Sequence, residues 1–494
     1  MADTCLMGVD VGTQSAKVVI FDLSGTVVCE ASHPLRPMEI PAPQQAIHPD
    51  DDLWDALKTA LKTAMDRFEG LPGRHVKQIA AMGLCVIRCC LALVKENGDL
   101  AYPLISWMDK RMNAPYTWEN AFGHVRYVTT SSGYITWRLT GERKDTCANY
   151  IGYWPMDPDT WDWSPRDRDF SRNHLTRDMV FDVKKPGEIL GHVTQAVAQI
   201  TGLPEGLPVV ATAHDKAVEA LGAGALDPEK GLVSLGTYIG GMVHGRENRT
   251  DAAHFWPFPA SIPFQYIYEC MGVRRGMWTV SWFCDQFGDG VVKKARDQGL
   301  PVAEWFNREA ARVPAGCDGL VTIHDWAPPK EAVFRKGVMF GFDGRHTRAH
   351  MYRSLLEGIA LTMKNHMDPM ARELKCSFKL LVISGGGANS DLFMQIFADV
   401  FGIPACRNQV KSSASVGCAI NAGMAVGVFG SYETAVKKMV HVGETFEPDM
   451  GCHRFYDRLN QTVYQTVNPC FDPVLSRLSR LVDDNPDRGQ ASPA

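Results

Sequence analysis

No stretch of this 494-residue chain is long and apolar enough to span a bilayer. No long basic run occurs, and the net charge is -5. A nucleic acid or an anionic membrane is therefore not the expected partner. Basic n-region and cleavage site are both missing before the first strand pattern, so no export signal is expected. The 14 cysteines include no C-x-x-C pair. Cys85, Cys89 and Cys90 cluster, but no histidine stands near them at ligand spacing, so buried thiols in a reducing cytoplasm are expected in preference to zinc. What remains is an ordinary globular composition, 45% apolar and 22% charged. The length is too great for one core and calls for two or three domains.

The stretch from Leu6 to Glu30 organises the rest. Met7 to Val11 reads as a short strand carrying one acid, Asp10. Gly12 and Thr13 make a tight turn, and Val18 to Phe21 form a second strand. A turn at Ser24-Gly25 leads into a third. The P-loop and the dinucleotide fingerprint both lead from a strand into a helix, so neither fits. Such a turn can offer backbone N–H groups and the Thr13 hydroxyl to phosphate oxygens, with Asp10 for a magnesium ion. It can equally be a plain hairpin turn.

Further along, Asp50 to Phe68 has the apolar spacing of an amphipathic helix, with Asp51 or Asp52 as its cap. Ile79 to Leu84 and Leu91 to Val94 read as buried strands. Arg88 lies between them among apolar and thiol residues and needs a partner, in an ion pair or in a ligand. Asp109, at a strand end, is in the same position. Leu207 to Ala213 is an apolar strand running into His214-Asp215-Lys216, followed by a helix of small residues. Gly231 to Gly241 repeats the strand, Gly-Thr turn, strand pattern, with Gly236 and Thr237 at the turn. The echo suggests a duplication with one such hairpin in each half. Met351 to Met367 reads as a long helix. Leu380 to Ile383 is a strand that enters Ser384-Gly385-Gly386-Gly387-Ala388-Asn389-Ser390, where the glycines let a ligand approach the backbone. Residues 481–494 have the composition of a disordered tail.

Eight segments now stand in order: GVDVGTQSAKVVIFD, WMDKR, RLTGE, AHDKAVEALGAG, SLGTYIGG, LLEGIALTMKN, ISGGGANSDLFMQIFADVFGIP and SVGCAINAG. Over about residues 6–457 the set resembles the FGGY family of carbohydrate kinases, which phosphorylate xylulose, ribulose, fuculose, gluconate, glycerol or autoinducer-2. The resemblance implies an α/β chain of the two-domain actin/hexokinase-like (ribonuclease H-like) fold, with mixed sheets flanked by helices. Residues 1–228 would bind sugar and carry the base, 229–457 would bind ATP, and 458–494 would form a terminal helix and tail. ATP and Mg2+ are the implied cosubstrate and metal. Dimerisation is common in the family, though no feature of this sequence demonstrates it.

Carried over by position, Asp215 stands where the family has its catalytic base, accepting the proton of the attacking hydroxyl. Taken alone it could be a helix N-cap. Asp10 would serve the magnesium. Gly12, Thr13 and Lys17 would meet the transferring phosphate, and Gly236 and Thr237 would form the second phosphate turn. Gly385, Gly386, Gly387 and Ser390 would border the adenosine. Arg88 and Asp109 are the candidates for sugar hydroxyl contacts.

Two departures from the family bear on the substrate. Arg88 is followed by Cys89, which matches neither the Met-His of xylulose kinases nor the Arg-Glu of glycerol and autoinducer-2 kinases. The segment Met112 to Arg126 is shorter than the insert the family usually has there. The expected acceptor is a pentulose such as xylulose. The alternatives are an autoinducer-2-type or other polyol kinase, or a non-catalytic relative that binds sugar or nucleotide.

Overall fold

The structure is a computed structural model that describes residues 4–113, 124–152, 154–287 and 289–483. Its first sheet is built from β1 (Cys5–Val11), β2 (Ser15–Asp22), β3 (Val27–Pro34), β4 (Ile79–Val86), β5 (Ile189–His192) and β6 (Pro208–Ala211), in the order β5-β6-β4-β1-β2-β3. β1 pairs antiparallel with β2 and parallel with β4, which in turn runs parallel to β6. The central strands are apolar on both faces because both faces are covered. In β1 every residue except Asp10 is buried.

A second sheet has the same plan. Its strands are β7 (Lys230–Leu235), β8 (Ile239–Gly245), β9 (Phe255–Pro259), β10 (Tyr266–Cys270), β11 (Leu380–Ser384), β12 (Ala405–Asn408) and β13 (Val442–Phe446), in the order β9-β10-β8-β7-β11-β12-β13. β7 pairs antiparallel with β8 and parallel with β11, as β1 does with β2 and β4. The two Gly-Thr turns therefore occupy equivalent corners of two equivalent sheets, which is what the repeated pattern in the sequence predicts.

Helix α1 (Asp52–Glu69) turns Leu53, Trp54, Leu57, Leu61, Met65 and Phe68 inward over β2 and β3. Neither acid caps it. Asp51 stands at the N-cap, but its carboxylate accepts from Tyr134 Oη at 2.7 Å and from Arg138. Asp52 accepts from the Arg36 backbone N–H at 2.9 Å and its Nε at 3.1 Å. Both acids have stronger donors in the tertiary structure than the helix end offers. Of the expected tail, 481–483 continue the helix Gln465–Asp483, and 484–494 lie outside the described residues. The short segment after Met112 also falls largely outside them.

The two halves meet through helices. α2 (Asp215–Gly222) follows β6, and α3 (Ser413–Ala425) follows β12. α3 belongs to the second half by sequence but packs on β1, β4 and α2 of the first. The approach is backbone to backbone. A Cβ built on Gly8 would lie 1.9 Å from the Ser415 carbonyl oxygen, one on Gly83 would lie 2.0 Å from that of Cys418, and one on Gly222 would lie 1.8 Å from that of Ser413. The run of small residues in α3 exists to permit this contact.

Gly8→Ala is accordingly expected to destabilise the protein by about 1–3 kcal/mol, the usual range for overpacking. Gly430→Ala, where a Cβ meets nothing within 4 Å, is expected to change stability by less than about 0.5 kcal/mol. Thermal or urea denaturation of the two variants checks the contrast, and equal stability would refute the packing argument.

Candidate active site

β1, β7 and α2 all end at one cleft between the halves. Two hollows of about 630 and 540 Å³ share a wall made by Asp10, Gly12, Lys17, Asp215, Lys216 and Gly236. The first hollow extends to Ser384, Gly385, Gly386 and Asn389, and the second to Arg88, Trp107, Thr13 and Thr237. A third hollow, of about 460 Å³, continues from Gly385 and Asn389 toward Arg407 and Glu444.

The two Gly-Thr turns face each other. Gln14 Nε2 donates to Thr237 Oγ1 at 3.3 Å, and Trp107 Nε1 donates to Thr13 Oγ1 at 3.3 Å. Lys17 Nζ crosses to Ser412 Oγ at 3.1 Å. Gly385 has φ +88, in the region that favours glycine, and a Cβ there would sit 2.7 Å from the Leu235 carbonyl oxygen. The glycine turn is thereby pressed against the end of β7.

Asp215 is the first residue of α2, and His214 is the N-cap. Its side chain is 36% exposed, and its Oδ1 has no hydrogen-bond partner among the described residues. The N-cap position belongs to His214, so Asp215 is not the cap residue of α2. Arg88 Nε lies 3.6 Å from Asp215 Oδ1, too far for a hydrogen bond. The guanidinium is instead held by Glu269 on β10, through Nη1 at 2.8 Å and Nη2 at 2.9 Å. Burial raises the Asp215 carboxyl, but the Arg88 and Lys216 charges outweigh it and leave it below the usual carboxylate range. Asp10 is pushed up to about 6, mainly by burial and then by the Asp215 charge. Lys216 is fixed from one side, by Glu219 at 3.2 Å and by Ser234, whose Oγ also donates to Glu219 at 2.8 Å.

Of the sequence-predicted residues, Asp10, Gly12, Thr13, Lys17, Arg88, Asp215, Gly236, Thr237, Gly385 and Gly386 line the cleft. Three do not. Asp109 is fully buried. Its oxygens take Arg111 Nη2 at 2.7 Å, Arg111 Nε at 2.9 Å and the Ala46 N–H at 2.8 Å, so it is a structural anchor with nothing left for a sugar. Gly387 is buried against Leu235 and Met277. The Ser390 hydroxyl accepts from the Phe393 N–H at 3.2 Å, capping the helix Asp391–Phe401. Asn389 stands at the hollow in their place. Residues that the sequence did not point to are Glu269, Lys216, Trp107 and Ser412. A lone acid in the apolar strand YIYEC was the available signal for Glu269. Cys89, beside Arg88, has φ 55, a conformation that non-glycine residues adopt where surrounding structure enforces it.

Among the described residues no group of three or more His, Cys, Asp or Glu could cage a metal. A magnesium ion that arrives on phosphate needs only one or two carboxylates and keeps its waters. The half-buried Asp10, where the two hollows meet, fits that use.

Residues 5–120 and 113–222 match the N-terminal domain of the FGGY family of carbohydrate kinases, and 231–426 match its C-terminal domain. An uncharacterized sugar kinase of Escherichia coli strain K12, YgcE, is 45% identical over 477 residues, 97% of this chain and 96% of that protein. The autoinducer-2 kinase of Enterobacter sp. strain 638 is 25% identical over 497 residues, 92% of each chain. The crystal structure of xylulose kinase from Rhodospirillum rubrum superimposes with a TM-score of 0.77 at 23% identity, covering 96% of this chain and 100% of that one. The fold shared with that structure is the two-domain actin/hexokinase-like ATPase fold.

Among the carboxylates lining the cleft, Asp10 is the one that burial pushes up to about 6. Below about 6 it takes up a proton and loses its charge toward a cation. Asp215, held below the usual range, stays ionised through the same interval. The expected outcome is an acid limb near pH 6 in kcat/KM for Mg-ATP, absent from an Asp10→Asn variant with residual activity. A profile flat between about pH 5 and 7 would contradict the assignment.

Proposed function

This chain belongs to the FGGY family of carbohydrate kinases, and we propose that it transfers the γ-phosphoryl group of ATP to a hydroxyl of a pentulose such as xylulose, with Asp215 as general base. The observation that carries this reading is the Asp215 carboxylate, held ionised by the Arg88 and Lys216 charges, part-exposed, and lining both hollows of the cleft.

In this reading the acceptor lies in the hollow beside Arg88, Trp107 and Asp215. Asp215 accepts the hydroxyl proton as the oxygen attacks the γ-phosphorus, the bond to the bridging oxygen breaks, and ADP leaves. Little basicity is required, because phosphoryl transfer asks mainly for positioning and charge stabilisation. Gly12, Thr13, Gly236 and Thr237 present backbone and hydroxyl donors to the phosphates, and Lys17 adds a positive charge. Gly385, Gly386 and Asn389 border the nucleoside. Asp10 would hold magnesium, which would neutralise charge on the phosphates. Arg88 makes the hydroxyl contact, and its second partner Glu269 keeps it from pairing fully with the base. Sugar binding then belongs to residues 1–228 and ATP binding to 229–457.

A second acceptor class, the autoinducer-2-type polyols, is favoured by the full-length likeness to autoinducer-2 kinases. A purely binding role is disfavoured, since binding alone does not require a part-exposed, ionised carboxylate where the two hollows meet.

The test is ADP release with Mg-ATP and a panel of D- and L-xylulose, D- and L-ribulose, L-fuculose, glycerol, erythritol, gluconate and the autoinducer-2 precursor. Turnover with a pentulose well above the others is expected. Turnover confined to the autoinducer-2 precursor would move the acceptor to the second class. ATP binding with no turnover on any compound would contradict the proposed acceptor.

A further inference from the structure

The wall that the two cleft hollows share carries two carboxylates, Asp10 and Asp215, and two ammonium groups, Lys17 and Lys216. Lys17 has its place among the phosphate residues, whereas no step described above uses Lys216. The Lys216 side chain keeps 11% exposure and borders both hollows where they meet. A phosphoryl group that leaves the nucleotide hollow for the acceptor hollow passes this wall.

The ammonium is held still. Nζ donates to Glu219 Oε2 at 3.2 Å, one turn along α2, and to Ser234 Oγ on β7. Ser234 Oγ in turn donates to the same Glu219 oxygen at 2.8 Å, so the three groups close a triangle. A lysine has three N–H donors. Among the described residues these two acceptors take two of them and leave one. The Glu219 and Asp215 charges outweigh burial and keep the group protonated. Its charge reaches both cleft acids and favours the ionised form of each. Joining α2 to β7 does not by itself call for this pair, because apolar side chains of like volume make such a contact without stripping water from two charges. What the pair adds is a fixed positive charge beside the path of the phosphoryl group.

We propose that Lys216 is a catalytic residue whose remaining N–H donates to a non-bridging oxygen of the phosphoryl group in transit. The proposal rests on the reading of this cleft as the place of transfer. The bond from phosphorus to the bridging oxygen of ADP breaks as the bond to the acceptor oxygen forms. The acceptor proton goes to Asp215, and Lys216 neither gives nor takes one. In a loose transition state the three non-bridging oxygens carry the charge of the moving group, so a cation already in place stabilises it without reorganisation. Asp10 and Asp215 face the same space, and the Lys216 charge offsets their repulsion of that group.

The test is the calorimetric affinity of the intact protein for Mg-ADP, with and without aluminium fluoride, which mimics the phosphoryl group in transit. The panel compound with the fastest turnover is present throughout, and the pH is about 8, well above the value of about 6 for Asp10. Two variants run beside the unaltered protein. Lys216→Gln can still donate to Glu219 and Ser234 but has no charge, and the double variant Lys216→Met with Glu219→Met leaves neither charge of the pair without its partner. Aluminium fluoride should tighten Mg-ADP at least about 100-fold in the unaltered protein. Both variants should bind Mg-ADP alone as before, lose most of the tightening and fall at least about 100-fold in kcat. Tightening and kcat retained in both variants would overturn the role of Lys216 and leave the kinase reading standing. Loss of affinity for Mg-ADP itself in both would make Lys216 a structural residue of the hollow and overturn the proposal too. No tightening in the unaltered protein would refute transfer in this cleft, and the proposal with it.

Discussion

The whole arrangement depends on how closely helix α3 can approach β1, β4 and α2. Glycines at 8, 83, 222 and 417 leave no Cβ at the four points of closest approach, and carbonyl oxygens of the opposing segment fill the space. Interiors packed at this density do not deform continuously. α2 is therefore fixed against the end of the first sheet, and Asp215, its first residue, is fixed at the mouth of the cleft. The Cys418 thiol donating to the Val9 carbonyl oxygen at 3.2 Å ties the same helix to β1 one residue from Asp10. One packing contact thus sets the positions of both cleft acids, Asp10 and Asp215.

Charge then divides the labour among groups that would otherwise neutralise each other. Arg88 could form a bidentate pair with Asp215, which would occupy the carboxylate proposed as the base. Glu269, from the other half, takes the guanidinium at 2.8 and 2.9 Å and leaves Asp215 with a contact of 3.6 Å. That separation lets the Arg88 charge hold Asp215 ionised without occupying it. Lys216 is restrained likewise by Glu219 and Ser234. Because Arg88 and Glu269 come from opposite halves, the pair also couples the geometry of the hollow beside Arg88 to the relative position of the two sheets.

The fold was legible in the sequence where local chemistry decides it. Strand runs punctuated by Gly-Thr and Ser-Gly turns, the apolar face of α1 and the glycines after Leu380–Ser384 all declare themselves within a dozen residues. Motif order then brought Asp10, Thr13, Arg88, Asp215 and Thr237 to one place. What failed was assignment by neighbourhood. Asp109 was expected at a strand end; no strand of the described residues ends there, and although it stands two residues from the cleft residue Trp107, Arg111 and the Ala46 N–H occupy its oxygens. Gly387 and Ser390 belong to the glycine motif but serve packing and helix capping, while Asn389 between them reaches the hollow. Glu269 was missed because its partner is 181 residues away, and no spacing rule reaches that far.

The central claim is that Asp215 receives the acceptor proton while the rest of the cleft positions the phosphates. It is tested most directly by single-turnover phosphoryl transfer in Asp215→Ala with saturating Mg-ATP and the preferred acceptor. The account predicts a loss of at least about 100-fold in the transfer rate, the lower end for removing a general base, with ATP binding intact. Transfer at the unaltered rate would contradict it.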